Sequence, residues 1–377
     1  MLAAAIDRSC RARRLPPRRS RSRRNRVASL LLAASVAACA LGDDVVTACE
    51  DRDGLHPLCG YRNPEDIAVV GGGSQLIVSE MGALLDADDP GRISIVDLAS
   101  ERRRVVYPVS RPSRGSLEPG WGDPNCPREA HAELKPHGID LAARPDGRLR
   151  LLVVNHGLRE SIEIFEVLGS GDGLDVLWRG CALPPDGLFF NDVVNLPDGG
   201  FLATHMFSGN PVWGVLRSRM GFDTGAVYEW QAPATWTPVP GTAAPFPNGI
   251  ELSQDGREIF LNAYSADEVR RISRETGELL AVASVRRPDN SSWSRDGRLL
   301  VASHTGGLAD EVKCSIFSRG SCPMAFEIVS LDPVHLEIEP LFASGGEPLG
   351  AGTIAVDLGD ELVIGSYAGD RILRVPR

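Results

Sequence analysis

Oxygen-bearing side chains recur just before strand-like runs of this sequence: Glu65 and Asp66 in NPEDIAVV, Asn191 and Asp192 in FNDVVNLPDGGFL, Asn248 in PNGIELSQDGREIFL, Asp289 and Asn290 in PDNSSWSRDGRLL. Taken singly, each is an ordinary turn or cap residue. Recurrence at the start of four segments points to a shared axis, where Glu65, Asn191, Asn248, Asp289 and Asn290 would form an all-oxygen set of two carboxylates and three carboxamides. That set suits Ca²⁺, which takes six to eight oxygens in flexible geometry, whereas zinc more often recruits His or Cys. A cation held there could polarise an ester or lactone carbonyl. Two histidines are placed to help. His137 precedes Gly138, and with an ordinary pKa of about 6.5 it could take a proton from an attacking water; His156 ends the apolar run LLVV and could orient it. No G-x-S-x-G elbow supports a serine hydrolase, and no nucleotide, haem or flavin motif occurs.

Such a set converges only if each segment is built alike. Each begins with a polar residue, runs through a strand, turns at Gly or Asp-Gly and enters a second apolar strand: Gln75–Ser79, Leu149–Val154, Gly200–Thr204, Glu258–Ala263, Arg298–Ser303 and Glu361–Ser366. The Asp-Gly turns at 146–147, 198–199, 255–256 and 296–297 supply the positive φ of tight antiparallel connections. Third strands are expected at Arg92–Asp97, Ser161–Val167, Gly225–Trp230 and Glu268–Ile272. Six such meanders, about 57 residues each, predict an all-β, six-bladed β-propeller. Two β-sandwiches would leave the recurring polar positions unexplained. The ring is expected to close through Arg371–Val375 and the segment around Val45–Ala48. Residues 110–133 read as mostly solvated chain, and 206–224 as amphipathic enough to line or cover a pocket.

Three units follow: an export signal over 1–38, an N-terminal segment over 39–60 with a possible closing strand, and the propeller over 61–377. Ten arginines between Arg8 and Arg26, an apolar run from Val27 to Ala38 and small residues before Cys39 read as a bacterial export signal. The run is too short to span a bilayer. Val36-Ala37-Ala38-Cys39 resembles a lipobox, so the only membrane association expected is a lipid on Cys39, in a periplasmic, outer-surface or secreted protein. Removing those ten arginines and Asp7 takes the formal charge from -10 to -19, which argues against nucleic-acid or anionic-membrane partners. Lys135 and Lys313 are the only lysines, leaving few candidates for Schiff-base chemistry. Six cysteines follow Cys39, an even number that suggests disulfides in an exported chain. Of 15 possible pairings, Cys49–Cys59 and Cys314–Cys322 are the most economical.

The motifs PED at 64–66, HGIDL at 137–141, VVNHGLRESIEIFEV at 153–167, ND at 191–192, NGI at 248–250, DN at 289–290, VASH at 301–304 and LVIGSYAGDRILRV at 362–375 resemble the serum paraoxonase/arylesterase family, and more distantly the gluconolactonase and strictosidine synthase group. The resemblance runs from about residue 60 to the end. It implies a six-bladed propeller with two axial calcium ions that hydrolyses lactones and aryl esters. Glu65, Asn191, Asn248, Asp289 and Asn290 would hold the outer calcium; Asp66, Asp192 and the backbone carbonyl of Ile139 would hold the inner one. His137 and His156 match the family's histidine dyad, and His304 a histidine near the pocket.

On this reading the substrate carbonyl meets the outer Ca²⁺, Asn191 and Asn248 help stabilise the developing negative charge, and water adds without a covalent intermediate. Two departures stand out. Arg374 occupies the place of the family's ring-closing cysteine, and the pocket-wall loops 110–133 and 206–224 do not align. Two other readings are open: a non-catalytic, calcium-stabilised propeller lipoprotein that binds a ligand or protein, and a single-metal sugar lactonase, against which the paired Asp66 and Asp192 argue.

Overall fold

The computed structural model describes residues 45–83, 90–108, 116–127, 134–317 and 319–377; the expected export signal and Cys39 lie outside them. The turn-punctuated apolar runs build six four-stranded antiparallel sheets. Their first strands, Pro64–Val70, Pro136–Ala143, Phe190–Asn195, Pro247–Leu252, Pro288–Trp293 and Gly352–Asp357, are each next to the one before, and the last returns to the first. This is a six-bladed β-propeller, with these six strands lining its axis.

Second strands are buried on both sides, which is why they read as unbroken apolar runs. Successive residues serve opposite neighbours. Leu151 packs between blades one and two, and Leu152 between two and three. Phe260 and Leu261 divide in the same way across blade four, as do Val363 and Ile364 across blade six. The core is therefore six apolar wedges between blades, and the axis is left to polar groups.

Closure differs from expectation. The strand that completes the last sheet is His56–Cys59, paired antiparallel with Arg371–Arg374, while Val46 makes only an isolated bridge to Ser321. Val45–Ala48 instead supplies carbonyls to a buried arginine: Arg371 donates to Val46 O at 2.9 Å and to Ala48 O. A Cys49–Cys59 disulfide ties down the closing strand, and Arg374 pairs with Glu361 and Glu101 at 2.8 Å each. The other bridges are Cys126–Cys181 and Cys314–Cys322.

Both long loops are more structured than the sequence suggests. Trp121 is fully buried in the wedge between blades two and three, and Asp123 accepts from Trp230 Nε1 at 2.9 Å. Cys126 is bridged, so this part of 110–133 is anchored rather than solvated. Within 206–224 lies a helix, α1, Pro211–Arg219; Asn210 caps it by accepting from Trp213 N, and Pro211 sits where no intrahelical donor is needed. A second short helix, α2, spans Leu308–Ser315.

Candidate functional site

All six inner strands begin with a register shift, between Pro64 and Asp66, Pro136 and Ile139, Phe190 and Val193, Pro247 and Ile250, Pro288 and Ser291, and Gly352 and Ile354. A bulge leaves residues out of the ladder and re-aims their side chains. The residues so released are Glu65, His137, Asn191 with Asp192, Asn248, Asp289 with Asn290, and Thr353. Side chains of neighbouring blades pin the freed carbonyls: Ser79 donates to His137 O at 2.6 Å, Thr204 to Asn248 O at 2.5 Å, Thr353 to Glu65 O at 2.6 Å, and Asn262 to Asp289 O. The sequence reading missed these pins, although Ser79, Thr204 and Asn262 all lie next to or at the end of their second strands. Gly138 and Gly249 let adjacent bulges touch. A Cβ on Gly138 would lie 2.6 Å from Asp192 Cα, and one on Gly249 2.8 Å from Asn290 Cα.

The expected donors form two tiers. In the outer tier, Glu65, Asn191, Asn248, Asp289 and Asn290 are all buried. Each carboxamide engages a neighbour through its N–H side. Asn290 Nδ2 donates to Glu65 Oε1 at 2.7 Å, Asn191 Nδ2 faces Met206 Sδ at 3.3 Å, and Asn248 hydrogen-bonds the Asp289 side chain. Asn191 Oδ1, Asn248 Oδ1, Asn290 Oδ1 and Glu65 Oε2 are left buried with no partner. Each such acceptor costs about 1–3 kcal/mol unless something answers it, and four oxygens suit a hard cation. Among the described residues no three of His, Cys, Asp or Glu gather as a metal cluster; this set draws three of its five side chains from Asn.

The inner tier is Asp66 and Asp192. Asp66 accepts from Ile67 N and Ile139 N at 2.7 Å each, and Asp192 from Val193 N at 2.7 Å and Ile250 N at 2.9 Å. The Ile139 amide therefore anchors Asp66 beside the expected carbonyl ligand of the same residue. Burial pushes the Asp66 carboxyl up to about 7 and Asp289 up to about 8. Glu65 and Asp192 are raised well above the carboxylate range, by burial and then by neighbouring carboxylates, Asp66 foremost. Four such groups ionise together only beside positive charge.

His137 stands at the edge of the outer tier, its Nε2 3.6 Å from Glu65 Oε1. Its Nδ1 meets His156 Nε2 at 2.9 Å, and His156 Nδ1 meets Glu160 Oε2 at 2.8 Å. Glu160 can only accept, so the network assigns the His156 proton to Nδ1 and the His137 proton to Nδ1, leaving a lone pair on His137 Nε2. Burial, then His156, holds His137 well below the usual imidazole range. Glu160 was not singled out from the sequence; its i+4 spacing from His156 is the signal it carried.

The profile of the arylesterase family matches residues 62–372. The chain belongs to the arylesterase family. It is therefore an enzyme, an ester hydrolase. No curated protein matches closely enough to count as a relative. Among solved structures, a luciferin-regenerating enzyme superposes with a TM-score of 0.50 at 14% identity, over 85% of this chain and 93% of that one. A gluconolactonase from Xanthomonas campestris superposes with a TM-score of 0.50 at 16% identity, over 85% and 89%. At these identities the likeness is one of fold.

A series of aromatic rings flanks the outer tier of this arylesterase-family site. His156 stacks on Phe189 at 4.3 Å between centroids and Phe189 on Phe207 at 5.4 Å; Phe246, Tyr264, His304 and Tyr367 continue the series at 5.5 to 5.8 Å. Apart from His304, the last residue of the strand Leu299–His304, they come from connections between strands, where no periodicity marks them. His304 Nε2 donates to Gly352 O at 3.0 Å and lies 3.3 Å from Asp289 Oδ2, while its Nδ1 accepts from Tyr264. Burial pushes His304 down to about 3, so it is a neutral brace for Asp289.

Proposed function

We propose that the chain is a calcium-dependent lactonase and arylesterase working at the outer end of its axis. The observation that carries this reading is the set of four buried, partnerless oxygens on the bulges of four inner strands, with the Glu160, His156 and His137 chain beside Glu65. Glu65, Asn191, Asn248, Asp289 and Asn290 would hold an outer Ca²⁺, and Asp66, Asp192 and the backbone carbonyl of Ile139 an inner one. When bound, the outer ion supplies a Lewis acid for the carbonyl oxygen of the substrate.

The remaining work falls to side chains. His137 Nε2 takes a proton from the attacking water, as its Nδ1 proton shifts toward His156 Nε2 and the His156 Nδ1 proton toward Glu160 Oε2. The relay spares the buried His137 ring a localised positive charge. Asn191 and Asn248 act through their oxygens, because their N–H groups face Met206 and Asp289. The rings of Phe189, Phe207 and Phe246 exclude water and offer an apolar face to an aryl or acyl group. Three disulfides fit an oxidising compartment, in keeping with export and an anchor at Cys39.

The full chain should hydrolyse a phenyl ester and a simple lactone, carry two calcium ions by elemental analysis, and lose turnover on chelation. Undiminished turnover in excess chelator would overturn the reading.

A further inference from the structure

A cavity of about 520 Å³ extends between the inner strands from the inner tier to the turns at their far ends, away from the outer tier. At its inner end are Asp66, Ile139 and Asp192. At its outer end it reaches Gly73 and Arg295, in turns at the far ends of the inner strands. None of the outer-tier donors lines it. The cavity therefore belongs to the inner carboxylates and is walled off from the reaction side.

On the outer-tier side the way is shut. The outer-tier residues are all buried, and blades two and three touch through Gly138, where even a methyl group would meet Asp192 and the Asn191 carbonyl. An ion leaving the inner carboxylates on that side would have to pass through the outer donor set. In the other direction it meets only the cavity, lined by three more carboxylates: Asp357, beside Arg295 and paired with Arg377 at 2.8 Å, and two that lie part-way along. One is Asp140, which accepts from Asn195 N at 2.6 Å and Asn195 Nδ2 at 2.7 Å on a single oxygen, Oδ2. The other is Glu251, which is partly exposed although deep in the blade ring, because the cavity reaches it. Arg295 is the one basic residue in the lining, and its guanidinium crowds Gly73. The charge pattern is that of a cation conduit with one positive group at its entrance.

We propose that this cavity is the route by which the inner cation enters and leaves, with Glu251 and Asp140 lowering the barrier to its passage and Arg295 raising it. The proposal rests on the two-ion reading above. It gives the two faces separate tasks: substrate at one, ion exchange at the other.

The test is isotope exchange on the full-length protein. Chains loaded with ⁴⁵Ca are diluted into excess unlabelled calcium, and bound label is followed over time for wild type, Glu251→Gln and Arg295→Gln. Neither residue touches the substrate side. Two ions per chain should remain in all three. The slower exchange phase should be at least several-fold slower still in Glu251→Gln and several-fold faster in Arg295→Gln. Opposite signs are the signature of charge along a path, since general loosening would speed exchange in both. Equal rates in all three, or acceleration in both variants, would overturn the route while leaving the two-ion reading intact. Fewer than two ions in the wild type would overturn that reading and the route with it.

Discussion

Replacing Gly138 by alanine tests whether the axis depends on direct contact between bulges. The added Cβ would stand 2.6 Å from Asp192 Cα and 2.7 Å from Asn191 O, with Asp192 Oδ1 also in contact. Two of those atoms are backbone, in a bulge fixed by Thr204, which accepts from Asp192 N at 3.0 Å. They have little room to yield, so an overpacking cost of about 1–3 kcal/mol is expected. No backbone strain adds to it, because the φ of Gly138 is not positive. Gly173 is the matched control: a Cβ there meets nothing within 4 Å, and its φ is also not positive. Its alanine variant should be neutral or stabilised by about 0.4–1 kcal/mol through loss of unfolded-state freedom. Urea denaturation of Gly138→Ala, Gly173→Ala and wild type in calcium measures both. Because the displaced atoms belong to Asn191 and Asp192, Gly138→Ala should also hold calcium more weakly. A Gly138→Ala chain within about 0.5 kcal/mol of wild type, with unchanged calcium content, would refute the close-contact account, since surface-like substitutions fall in that range.

Stripping divalent ions should make stability depend on pH. Asp66 and Asp289 titrate at about 7 and about 8 in the fold, against an ordinary aspartate value near 3.8, so between those limits the folded chain holds more protons than the unfolded one. Stability of the chelated protein should therefore fall as pH rises from about 4 to about 8, while the calcium-saturated protein shows no such slope; parallel melting curves in the two states would contradict this. Glu160→Gln should switch off the histidine relay without emptying the site. Glu160 Oε1 accepts from Phe190 N at 2.8 Å and Oε2 from His156, and Gln offers only one acceptor. With its oxygen on Phe190 N, its amide would donate to His156 Nδ1 and reverse both tautomers, leaving His137 Nε2 protonated. Turnover should drop about 10²-fold or more with KM and calcium content nearly unchanged; a drop confined to KM would count against the relay.

The sequence made the blades legible and the axis only partly so, for physical reasons. Runs such as LLVV at 151–154 and EIFL at 258–261 stand out because both faces of a second strand are buried, and the Asp-Gly turns between strands have few alternatives. The closing strand was expected within 39–60 but placed around Val45–Ala48, because HPLC at 56–59 is an outer strand with no alternation of its own, joined to its sheet by chain-end topology. Trp121 could not be read as an anchor because a lone tryptophan in a Pro- and Gly-rich stretch has no periodic partner. At the site, the donors were visible as residue types. Their release from the ladder was not, because a bulge is a property of two strands in register and leaves no period in one of them.

Charge on the axis explains why the outer tier mixes two kinds of oxygen. Glu65, Asp66, Asp192 and Asp289 bring four carboxylates into the centre, and among the described residues no arginine or lysine forms an ion pair with any of them. Among the described residues their only basic contacts are His137 and His304, both held neutral by burial. Two divalent cations would match the charge of these four carboxylates. Had Asn191, Asn248 and Asn290 been aspartates, the same oxygens would have come with three further charges and no counter-ion, at a desolvation cost that burial makes prohibitive. Carboxamides deliver the ligand oxygen without the charge. Their N–H groups hold Glu65, Asp289 and Met206 in place. Neutrality also keeps His137 usable: a net negative axis would draw a proton onto its Nε2 and remove the lone pair that the proposed water attack requires.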